Sequence, residues 1–110
     1  MKLIWHRRAL REFNGAYEDL FDARPQAAID WRVAAQRMIE MLENYPQIGA
    51  LCRHDPDGEI RQIVVGRYRF VYRLNQKVLE MRRVRHVRRD YDPQIIRDAP
   101  RRDWRAFVVS

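Results

Sequence analysis

The hydrophobic period of this 110-residue chain changes near its midpoint, and that change limits the folds open to it. Between Arg7 and Asn44 apolar residues recur every three or four positions. A 3.6-residue period specifies a helix with one apolar stripe, whereas a period of two specifies a strand with one apolar face. In Arg7–Asp22 the stripe is Leu10, Phe13, Tyr17 and Leu20/Phe21. In Gln26–Asn44 it is Ala27/Ala28, Trp31, Ala34/Ala35, Met38 and Met41/Leu42. Ala23-Arg24-Pro25 separates the two, and Pro25 suits the first turn of a helix. Such a short break predicts an antiparallel helical hairpin.

After Asn44-Tyr45-Pro46 the helical pattern stops. Residues 46–58 read as a loop ending in the turn Asp55-Pro56-Asp57-Gly58. Glu59–Val65 is rich in β-branched residues, Gly66-Arg67 is a turn, and Tyr68–Leu74 alternates aromatic with basic or aliphatic positions. Asn75-Gln76 reads as a two-residue hairpin turn and Lys77–Val87 as the last strand. Lys2–Trp5 reads as a short strand ahead of the helices. The expected architecture is α+β: an N-terminal strand, a helical hairpin, then a three-stranded antiparallel meander, with the helices on one face of the sheet. Trp31, Tyr68 and Tyr72 are expected to pack between helices and sheet.

Charge is distributed unevenly. Residues 1–58 carry 8 Lys/Arg and 9 Asp/Glu, residues 59–110 carry 14 and 6, and 20 of the 22 cations are arginine. Arginine binds carboxylate and phosphate bidentately, so an acidic protein or a nucleic acid suits the second half. Five arginines between Arg82 and Arg89 (Arg82, Arg83, Arg85, Arg88, Arg89) repel one another unless a partner or internal acids answer them. Asp90 and Asp92 answer only some of that charge.

Other classes find little support. One cysteine, Cys52, permits no internal disulfide and points to a reducing compartment. There is no signal-peptide pattern and no apolar run long enough for a bilayer, so the expectation is a cytoplasmic protein with no membrane partner. No metal or cofactor is expected, since zinc spacings and glycine-rich phosphate loops are lacking.

Four segments, "KLIWHRRALREF", "LENYPQIG", "VVGRYRFVYRL" and "VLEMRRVRHVRRDY", together resemble the RelE/ParE superfamily of type II toxins. The resemblance runs from Met1 to about Tyr91 and is most specific in Gly66, Tyr68-Arg69, Val71-Tyr72 and Val84-x-His86-x-x-Arg88-Arg89-Asp90. It implies a toxin domain over 1–91, with 92–110 as a tail expected to pack on the same domain. It also implies a cognate antitoxin, expected to be an acidic segment that folds on the toxin.

The superfamily has two functional classes. RelE-like members are similar to ribosome-dependent mRNA endoribonucleases, and ParE-like members poison DNA gyrase. The nuclease class implies catalytic roles for Arg69, Arg88 and Tyr91, with lysines on the preceding strand. Those lysine positions fall here on Ile60 and Gln62. A Glu/His variant of the site would use His86, but Glu80 is about 20 Å away along an extended strand. His86 also reads as a structural residue bonding the turn after its strand. The missing lysines and the Val-x-His-x-x-Arg-x-Asp ending favour the ParE-like class. Under that reading Arg82, Arg83, Arg85 and Arg89 receive the acidic antitoxin, and gyrase is the target. The alternatives are the nuclease, with ribosome and mRNA as target, and a non-toxic nucleic-acid-binding module on the same scaffold.

Overall fold

The computed structural model describes residues 1–55 and 58–88. Its elements are β1 (Lys2–Trp5), α1 (Arg7–Ala23), α2 (Pro25–Asn44), β2 (Ala50–Asp55), β3 (Gly58–Val65), β4 (Tyr68–Leu74) and β5 (Val78–His86). The strands form one sheet in the order β1-β5-β4-β3-β2. β1 runs parallel to β5, with Lys2 opposite Val78 and Trp5 opposite Met81. The remaining neighbours are antiparallel hairpins.

Arg24 alone divides the helices. Its extended backbone, φ −153° and ψ 98°, ends α1 and begins α2, with Pro25 in the first turn. The Arg24 N–H closes α1 on the Leu20 carbonyl at 2.7 Å, and the Arg24 carbonyl accepts the Ala28 N–H at 3.1 Å. Both helices lie on one face of the sheet. Ala9, Ala16, Trp31, Ala35, Met38 and Leu42 pack there against Phe70, Tyr72, Leu74, Leu79, Met81 and Val84. The alanines leave no bulk between helix and sheet, which permits the close approach.

Trp31 organises the middle of that core as the sequence predicts. Its ring lies 5.1 Å from Phe13, 5.2 Å from Tyr68 and 6.0 Å from Phe70. Its Nε1 donates to the Val65 carbonyl at 2.9 Å, which satisfies the indole inside the core. Gly66 then turns the chain with φ 63°, and a Cβ there would stand 3.0 Å from Trp31. A glycine is required both for the left-handed backbone and for the ring beside it.

Two details differ from the sequence reading. The segment expected as a loop contains β2, so the meander has four strands and the full sheet five. β2 carries a bulge between Leu51 and Arg53, which breaks the alternation by which a strand is recognised. The β4–β5 turn centres on Gln76-Lys77, one residue later than expected. Asn75 occupies its first position: its N–H donates to the Val78 carbonyl at 3.1 Å, and its Oδ1 accepts the N–H groups of Lys77 and Val78 at 2.8 Å each. No described helix is long and apolar enough to cross a membrane.

Candidate partner-binding surface

β1 covers the edge of β5 only as far as Met81. There the His6 N–H donates to the Met81 carbonyl at 2.9 Å, and the chain enters α1. Beyond that point a side chain stands in for the missing strand. Glu12, one turn into α1, accepts the Val84 N–H at 2.9 Å. The same carboxylate receives Arg83 through Nε, 3.1 Å from both oxygens, and through Nη2 at 3.0 Å. Arg8 approaches from the turn before, at 3.9 Å. The β5 backbone bulges here, since Val71 faces Arg83 while Tyr72 faces Met81.

Arg83 is therefore not part of an exposed receptor. It is 5% exposed and its charge is answered by Glu12. The sequence reading looked for answering acids beside the arginines, in Asp90 and Asp92. The acid that answers Arg83 lies 71 residues upstream, on another element. Glu80 likewise points to the start of the chain and contacts His6 Nε2 at 2.8 Å. Arg82 and Arg85 are half-buried along the β5 edge, and Arg88 is exposed just after it.

The residues proposed for RNA cleavage are divided between the two faces of the sheet. Register places Arg69 opposite Val64 and Arg85, on the face away from the helices. Its Nη1 reaches Gln62 Oε1 at 3.4 Å. His86 pairs with Tyr68, and the imidazole meets that ring edge-on at 5.2 Å. Tyr68 belongs to the helix-side core, so alternation sets His86 and Arg69 on opposite faces. His86 Nδ1 accepts the Arg88 N–H at 3.1 Å, which places the ring proton on Nε2. Val87 N–H donates to the Arg67 carbonyl at 2.8 Å and fixes the same turn. Ile60 and Gln62, where lysines would be needed, are 2% and 6% exposed. Tyr91 and Arg89 lie outside the described residues.

A second polar device holds the start of β2. Tyr72 Oη donates to the Pro46 carbonyl at 2.7 Å and accepts the Gly49 N–H at 3.0 Å. A Cβ on Gly49 would lie 2.5 Å from that hydroxyl, so only glycine lets the loop close on it. Burial pushes the Tyr72 phenol up to about 12, against a lesser opposing pull from the Gly49 N–H. Arg61, on β3, donates to the Gln47 and Gly49 carbonyls of the same loop at 3.1 and 2.7 Å.

Among the described residues no group of three or more His, Cys, Asp or Glu side chains could hold a metal ion. A cleft of about 1240 Å³ at the far end of the sheet is lined by Met1, Tyr45, Ile48, Leu74 and Val78 among others, and receives none of the candidate residues.

The model of the ParE toxin of type II toxin-antitoxin systems, parDE, matches residues 3–91. Among solved structures the chain is similar to the "Chromosomal ParDE TA system from P. aeruginosa", with a TM-score of 0.54 and 21% identity. That similarity covers 78% of this chain and 95% of the other. A search of curated proteins finds no match.

Proposed function

The chain belongs to the ParE toxin family of type II toxin–antitoxin systems, and from that premise we propose that it is a cytoplasmic inhibitor of DNA gyrase, neutralised by an acidic antitoxin. One observation carries the choice of a binding toxin over a nuclease. The nuclease candidates are not gathered on one face of the sheet: Arg69 is on one, and His86, the candidate of the Glu/His variant, is on the other. General acid–base catalysis needs its groups within hydrogen-bond reach of one substrate. The buried Ile60 and Gln62 add to this, since neither supplies a cation or a base.

The antitoxin part of the reading rests on charge. Residues 59–110 hold the whole positive excess of the chain. Arg83 is spent internally on Glu12. Arg82 and Arg88 are the cationic positions described at the C-terminal half of the β5 edge, with Arg89 beyond the described residues. A segment bearing carboxylates at matching intervals would form charge-assisted bonds there.

The deciding experiment is a supercoiling assay with purified gyrase, run beside primer extension on translated mRNA. Loss of supercoiling or a trapped DNA cleavage complex, with intact mRNA, is the expected result. Unimpaired gyrase refutes the proposal, and codon-specific mRNA cuts would establish the nuclease in its place.

A further inference from the structure

The outer edge of β5 is covered in two different ways. β1 pairs with it from Val78 to Met81, and among the described residues no strand pairs with that edge further on. Past Met81 the Glu12 carboxylate accepts the Val84 N–H at 2.9 Å and is itself clasped by Arg83. Glu12 thus occupies the place of a backbone carbonyl on a neighbouring strand. A groove of about 340 Å³ opens beside it, lined by Glu12, Gly15, Ala16, Tyr68 and Val84 among others. Gly15 adds no bulk to its wall, and a Cβ there would meet nothing within 4 Å.

We propose that residues 82–86 of β5 are an addition site for an extended acidic segment of the partner, and that Glu12 is the gate this segment displaces. The inference rests on the reading of the partner as acidic, and adds the form of the segment and the place it binds. A strand residue presents its N–H and C=O to the same edge, so a strand laid opposite Val84 offers a carbonyl where the Glu12 oxygen now sits. Edges of this kind bind peptides through main-chain bonds, and side chains at alternate positions supply the specificity.

Charge selects the occupant. Arg82 is half-buried on the edge, Arg88 is exposed just beyond it, and Arg83 is released once Glu12 leaves. A second copy pairing β5 with β5 around Val84 sets these arginines against their own counterparts, which like-charge repulsion disfavours. Arg83 lies opposite Val71, on the face away from the helices. Alternate side chains of an added strand point to that same face. A carboxylate there takes over Arg83 from Glu12, so the displacement strands no buried cation. Asp19 lines the groove on the α1 side and repels acids, so the positions facing the helices are uncharged. Alternating Glu and Val is the simplest sequence with this pattern.

NMR titration of the isotope-labelled full chain, followed at the Val84 amide resonance, tests it. The probe is a synthetic peptide of alternating Glu and Val, about eight residues long, an ordinary strand length. One control is the same peptide N-methylated at every residue, which keeps the charge and loses the strand bonds. Another is a Glu-rich peptide stapled as a helix. A saturable shift of the Val84 resonance and several-fold weaker binding of the N-methylated peptide are expected. Glu12→Gln, which keeps an acceptor for Val84 but releases Arg83, should bind the probe several-fold tighter; a purely structural Glu12 would leave affinity unchanged or lower it. The N-methylation comparison is made on the parent chain and does not depend on how the variant folds. Equal binding of the N-methylated peptide, an unmoved Val84 resonance, or Glu12→Gln binding no tighter than the parent overturns the gated site. Preferential binding of the stapled helix overturns it too, while leaving the acidic-partner reading intact. Failure of every acidic peptide to bind removes the site and that reading together.

Discussion

Replacing Glu12 removes four hydrogen bonds at once, and the cost can be worked from the structure. Arg83 holds the carboxylate through Nε and Nη2, and its side chain is only 6% exposed. Taking one partner from a buried pair strands the other charge and typically costs about 3–5 kcal/mol. Glu12 itself keeps 22% side-chain exposure, so water entering the vacated space offsets part of this and the lower end applies. The Val84 N–H also loses its acceptor, adding about 1 kcal/mol. Glu12→Ala is therefore expected to lower unfolding free energy by about 3–4 kcal/mol. At about 4–8 °C per kcal/mol for a domain of this class, the melting temperature falls by at least ~12 °C. Glu12→Gln keeps an acceptor for Val84 but not the charge, and should lose about half as much. A double-mutant cycle in urea isolates the pair. With Arg83→Met the stranded cation is gone, so Glu12→Ala should then cost about 1–3 kcal/mol less than it does alone. A Glu12→Ala protein within about 0.5 kcal/mol of the parent, or strictly additive mutants, would refute the reasoning.

Other expectations follow from the same geometry. Stability should fall as pH rises above 10, because the unfolded chain ionises Tyr72 near its ordinary value while the folded phenol holds its proton to about 12; Tyr72→Phe should flatten that loss in alkaline urea titrations and cost about 1–2 kcal/mol at neutral pH by leaving the Gly49 N–H without an acceptor. Binding of the antitoxin should weaken as salt rises past the point where charges are screened within about 8–10 Å, and Arg82→Glu/Arg88→Glu should lower both affinity and its salt slope in calorimetric titrations; salt-independent binding would contradict an electrostatic interface.

Much of the fold is legible in the residues because its signals are local. The stripe through Trp31, Ala35, Met38 and Leu42 and the alternation Tyr68, Phe70, Tyr72, Leu74 each report one element's buried face. β2 escaped because its bulge at Cys52 cancels alternation within six residues. The site was less legible. Arg83 and Arg82 are adjacent and alike in sequence, yet one is buried and the other only half-buried. What separates them is a bulge in β5 and a carboxylate on α1, and neither leaves a mark near residue 83. A hint did exist in Glu12, an acid facing inward from a helix that begins Arg7-Arg8 and continues to Arg11, but only tertiary pairing gives it meaning.

β1 pairs in parallel with β5, the last described strand in the sequence, and this sets an order of events. Lys2 meets Val78, so the first strand made waits for the last before it has a backbone partner. Contacts of such large sequence separation carry the loop-closure entropy of most of the chain and form late. The helical hairpin and the β2–β3–β4 ladder can assemble during synthesis, but His6, Glu12 and Arg8 find Glu80, Met81, Arg83 and Val84 only once β5 exists. A nascent chain short of residue 78 therefore lacks the whole β5 edge, including its arginines. The surface proposed to meet the antitoxin is among the last parts of the protein to come into being.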